Sequence, residues 1–143
     1  MAIRLRPDEA NVLDSLGWLR YKQGRLTDLA DEAGEPLEGG RGAVWLLERA
    51  TSLLDESDGP VTLDQLGDAL WRAGRADDAL ARWREALPRA RRTVESYESG
   101  GAPAGMLQDA RTRVETIEAK IAAAESGQEP EIAPLGEGVA EAR

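Results

Sequence analysis

Apolar residues recur along this chain at intervals of three and four. Leu13 and Leu16, and later Leu63, Leu66 and Leu70, each share one face of a helix. A glycine follows directly in both places, at Gly17 and Gly67, and leaves a gap on that face that a second helix can approach. Seven residues after each glycine comes a Gly-Arg pair, Gly24-Arg25 and Gly74-Arg75. A glycine there suits the left-handed residue that ends a helix. Each pair is followed by a small–large–small stripe, Ala43/Leu47/Ala50 and Ala79/Trp83/Ala86. A large side chain between two small ones fits the groove beside a glycine. The pattern predicts helices over about Glu9–Gln23, Ala43–Asp55, Leu63–Ala73 and Ala76–Leu87, with Thr62 and Gln65 forming a capping box for the third. Pro88 then stops or kinks the fourth helix, and Arg89–Ser99 can continue it. Gly100-Gly101-Ala102-Pro103 is a clear break. Leu107, Ala110, Val114, Ile117, Ile121 and Ala124 predict a last helix over Met106–Glu125. From Ser126 on the periodicity ends, which reads as a flexible tail.

The blocks LDSLGWLRYKQGR and LDQLGDALWRAGR, with ALARWREAL after the second, resemble the tetratricopeptide (TPR) family over roughly residues 2–87. The chain departs from the family in having Leu13 and Leu63 where Trp is common, and Arg20 and Leu70 where Tyr is common. Tyr21 and Trp71 stand one residue later. The resemblance implies an all-α, right-handed superhelix of helix–turn–helix units. Residues 1–87 are then two repeats, 88–126 a C-terminal helical cap, and 127–143 the tail. It also implies a bacterial protein–protein interaction module or scaffold, cytoplasmic or in the cell envelope.

The edges of the pattern add two expectations. Ala2–Pro7 reads as the end of an earlier repeat, so the chain is expected to be the C-terminal piece of a longer solenoid. The repeat glycines lie 50 positions apart, about 16 more than the family period. Matching Leu26 to Ala76 and Ala43 to Ala79 puts most of the surplus in an insertion at 27–42, rich in glycine and acid, which reads as a loop or a short helix plus a loop.

Composition narrows the chemistry. The net charge of −9 argues against nucleic acid as a main partner. Cysteine and histidine are absent, which removes the thiolate and imidazole nucleophiles, bases and metal ligands. No apolar run approaches the length of a membrane span. Neither an enzyme nor a cofactor is expected. Asp28, Asp31, Glu32, Glu35 and Glu38 lack the spacing of a calcium loop and read as a solvated acidic stretch. Arg82, Arg84, Arg89, Arg91 and Arg92 are expected to pair with the chain's own acids, such as Asp77 and Asp78.

One face stands out. Asn11, Asp14, Trp18 and Tyr21 share a side of the first helix, and Val61, Asp64, Asp68 and Trp71, with Arg72 beside them, form the equivalent set on the third. The resemblance places this set on the concave groove, so these residues are the candidate contacts for a peptide or partner protein. The alternative is self-assembly, with a weak homo-oligomer formed through the N-terminal face or the last helix.

Overall fold

The computed structural model describes residues 7–28, 41–54 and 59–135, with only the backbone described for 7–11. The chain is all-helical there, with no strand among the described residues. The helices are α1 (Pro7–Lys22), α2 (Ala43–Ser52), α3 (Pro60–Arg72), α4 (Ala76–Gly100) and α5 (Ala104–Glu125). Helices α1 and α2 pack as one hairpin, α3 and α4 as a second, and α5 lies along α4. Residues 2–6, expected to end an earlier repeat, and most of the insertion fall outside the described residues.

The two hairpins are built alike. Gly24 and Gly74 both take positive φ, 75° and 83°. Both end their helix with the same pair of hydrogen bonds: Gly24 N–H to Tyr21 C=O with Arg25 N–H to Arg20 C=O, and Gly74 N–H to Trp71 C=O with Arg75 N–H to Leu70 C=O. A Cβ on Gly17 would stand 2.9 Å from Leu47 Cγ, and one on Gly67 would stand 2.5 Å from Trp83 Cδ1. Leu47 and Trp83 therefore fill equivalent gaps, and both are fully buried.

The insertion leaves this register intact. The Ala43 amide donates to the Arg25 carbonyl, as the Ala79 amide donates to the Arg75 carbonyl. The two ends of the insertion are tied together by Asp28, which accepts from the Gly42 amide at 2.9 Å and pairs with Arg41 at 2.8 Å. Ala43 thus takes the position of Ala79 in the hairpin, although α4 itself starts three residues earlier, at Ala76.

The structure departs from the sequence reading in α3, in α4 and after α5, beyond shifts of up to three residues at the other helix ends. Helix α3 starts at Pro60, behind Gly59 with φ 84° and no side-chain cap. Proline's fixed φ starts the helix two residues ahead of Thr62, so the expected capping box does not form. Thr62 instead donates to Asp14 at 2.9 Å, tying α3 to α1. Helix α4 runs through Pro88 to Gly100. Pro88 is exposed, so the carbonyl it leaves unbonded lies on the side where water is available. Residues 128–135, expected within a flexible tail, run extended beside α1 and α3.

Along the α4–α5 seam, Arg84 pairs with Glu125 at 2.6 Å, Arg91 with Glu118 at 3.0 Å, and Glu98 with Arg111 at 2.9 Å. Steps of seven forward on α4 meet steps of seven backward on α5, so the helices are antiparallel and in a coiled-coil-like register. Of the arginine cluster, Arg82, Arg84 and Arg91 are paired within the chain, with Glu85, Glu125 and Glu118 rather than with the Asp77 and Asp78 expected from proximity in sequence. Asp78 pairs with Arg75.

Candidate functional site

Asp64 and Asp68 stand four residues apart, on one face of α3. Helix α3 is covered on this face as well as on its leucine face, so both carboxylates are taken out of water, to 4% and 2% exposure. Two like charges so placed need a buried counter-charge. Helix α5 supplies it. Lys120 reaches between them, its Nζ donating at 2.7 Å to Asp64 and 2.9 Å to Asp68, and is itself 4% exposed. Arg113, seven residues earlier on α5, donates to the second Asp64 oxygen at 2.8 Å. Burial pushes the Asp68 carboxyl up to about 6; Lys120 opposes that shift and Asp64 adds to it.

The second part of the site joins α1 to the end of α3. Trp18 stacks on Tyr21 with centroids 4.4 Å apart. The Arg72 guanidinium stands over the Tyr21 ring, and its Nε donates to the Tyr21 hydroxyl at 2.6 Å. Tyr21 is fully buried. Burial raises its hydroxyl to about 12, against the Arg72 hydrogen bond that favours ionisation. Its hydroxyl therefore remains a donor at neutral pH.

That donor is in use. The Ala133 carbonyl accepts from the Tyr21 hydroxyl and, at 2.7 Å, from Arg72. The Ala133 amide faces the free oxygen of Asp68 at 3.5 Å, the long end of a hydrogen bond. Lys22 donates to the next carbonyl, that of Pro134, at 3.3 Å. Ile132, Ala133 and Leu135 pack on the core as partly buried side chains. Two donors and one acceptor thus converge on the two main-chain polar groups of a single residue.

Of the residues singled out from sequence, Trp18, Tyr21, Asp64, Asp68 and Arg72 are brought together. Asp14 lies apart, beside Thr62. Burial raises its carboxyl above the usual range, the Thr62 hydrogen bond opposing the shift, and its second oxygen is buried without a described partner. Trp71 turns the other way. It packs against Trp83 at 6.0 Å and lines a shallow cavity with Leu80, Ala124 and Gly127. Asn11 lies on α1, with its side chain outside the described residues.

The sequence reading missed Lys120, Arg113 and the 132–135 segment. One signal for Lys120 was present: it sits three residues after Ile117 and next to Ile121 on the apolar stripe, where a lysine must find a carboxylate. The prolines at 130 and 134 marked a segment already biased toward extension.

Compared with protein-family models, curated proteins and solved structures, the chain finds no match. Among the described residues no helix is long and apolar enough to cross a membrane.

Proposed function

We propose that this chain is a non-catalytic protein–protein interaction module of TPR type, binding a peptide or partner protein on the face formed by α1 and α3. The observation that carries the reading is the convergence of Tyr21, Arg72 and Asp68 on the carbonyl and amide of one extended residue. Such an arrangement recognises main chain, the common currency of peptide binding. Catalysis is a poor fit to the same groups. Lys120 is held between two carboxylates, and the Tyr21 hydroxyl is pushed away from ionisation. The paired glycine–knob hairpins support the TPR reading of the scaffold.

A displayed peptide library selected on the full chain tests the binding role, with the Arg72→Gln variant as counter-selection. Peptides enriched on the wild type and lost on the variant support it. Enrichment indifferent to Arg72, or none, overturns it.

Self-assembly has one observation in its favour. Val12 and Leu19, seven residues apart on α1, are 63% and 50% exposed. Light scattering over a concentration series tests it: a monomer throughout, unchanged by Leu19→Ser, removes this second reading.

A further inference from the structure

The candidate face is already filled by the chain's own C-terminal segment, and the way it is filled says what else fits. Gly127, with φ 77°, ends α5 and turns the chain back, with the Gln128 amide bonded to the Ala123 carbonyl. Pro130 is buried, and from there the chain runs as Glu131-Ile132-Ala133-Pro134-Leu135 past Asp68, Arg72, Tyr21 and Lys22. Every hydrogen bond described between this segment and α1 or α3 goes to its main chain, at Ala133 and Pro134. The side chains of Ile132, Ala133 and Leu135 add partly buried apolar contact only.

Main-chain bonds are indifferent to side-chain identity, so the groove can accept another extended strand with apolar residues at the same positions. Pro130 and Pro134 hold φ near its extended value, which lowers the cost of ordering the strand. The carbonyl-selective pair Tyr21–Arg72 sets the register, and a proline directly after the captured residue is tolerated because no amide is needed there.

We propose that residues 130–135 are a built-in competitor, and that the groove's partner is a proline-containing extended peptide of the same form: apolar, small, proline, apolar. This rests on the interaction-module reading above and adds the ligand class and its regulation. The tether through Gly127 keeps the segment at an effective concentration of roughly millimolar, so a free peptide binds only when it outcompetes the segment or when the segment is displaced.

The test uses the full chain and a labelled synthetic peptide of sequence Gln-Glu-Pro-Glu-Ile-Ala-Pro-Leu, read by fluorescence anisotropy. The Ile132→Ser/Leu135→Ser variant loosens the segment without adding charge. That variant is expected to bind the peptide at least about tenfold more tightly than the wild type, as removal of a tethered competitor requires. Adding Arg72→Gln to it should lose that gain, and a scrambled peptide should not bind. Equal binding to wild type and loosened variant, or none to a loosened variant that keeps its helical circular dichroism, overturns the proposal. Should the loosened variant lose helicity, the peptide must restore it in trans; failure to do so also overturns the proposal. A wild-type dimer that dissociates in the loosened variant would put the segment on a neighbouring copy and overturn the internal arrangement. Library peptides that bind wild type and loosened variant alike through Arg72 would sink this inference and leave the interaction reading standing. Absence of any Arg72-dependent peptide sinks both.

Discussion

At the residue scale the electrostatics of α3 are the most exposed to test. Asp68 faces Asp64 on its own helix, Lys120 on α5, Tyr21 on α1 and the Ala133 amide, while Arg113 bonds the neighbouring Asp64. Its native value of about 6 lies above the value of about 3.9 expected unfolded. The folded state therefore binds this proton more tightly. Below about pH 4 both states hold the proton and no penalty exists. As pH rises through 4 to 6 the penalty grows, to roughly 1–3 kcal/mol of lost stability. Urea unfolding of wild type and Asp68→Asn across that range should show the variant gaining on the wild type as pH rises; parallel curves would refute the assignment. Lys120→Ala leaves two buried carboxylates facing each other. It should cost about 3–5 kcal/mol at neutral pH, the usual penalty for breaking a buried pair, measured by the same titration.

Between elements, the two glycine–knob contacts separate rigid from yielding neighbours. A methyl on Gly67 meets the Trp83 indole, which is planar, fully buried and bonded through Nε1 to the Asp64 carbonyl at 3.3 Å. A methyl on Gly17 meets the branched end of Leu47, which can change rotamer. Gly67→Ala should therefore lose about 1–3 kcal/mol or more by overpacking, and Gly17→Ala distinctly less. Thermal unfolding of the two variants checks the order, and equal losses would contradict the geometry. The ion pairs along the α4–α5 seam are about half exposed and contribute little each, about 0–1 kcal/mol. Their even spacing fixes alignment more than stability. The stripe from Leu107 to Ala124 announced α5, but it could not say that the polar residues between would reach across to α3.

For the molecule as a whole, the hairpin frame closes across the ends of the insertion. Arg25 to Ala43 and Leu26 to Val44 are joined by backbone hydrogen bonds at 2.8 and 3.0 Å. Replacing residues 29–40 by a short Gly-Ser turn, keeping Asp28 and Arg41, should leave helical content unchanged. Loop-closure entropy changes by only about 0.6 kcal/mol per doubling of length, so the melting temperature should move by a few degrees at most. Circular dichroism melting tests this. Loss of the cooperative transition would mean that the loop supports the core.

Local periodicity determined much of this protein. Leucine spacing, the paired glycines and the Gly-Arg ends predicted the helices and the matching of Ala43 to Ala79, because each is a property of a few neighbouring residues. It also singled out the face that carries Tyr21, Asp68 and Arg72. What covers that face was a long-range question. Asp68 and Ala133 are 65 positions apart, and Tyr21 and Ala133 are 112 apart. Helical spacing along a segment carries no information about such pairings. Only the turn at Gly127, the antiparallel return of α5 and the need of two buried carboxylates for a counter-charge bring Lys120 and the segment 130–135 onto the groove.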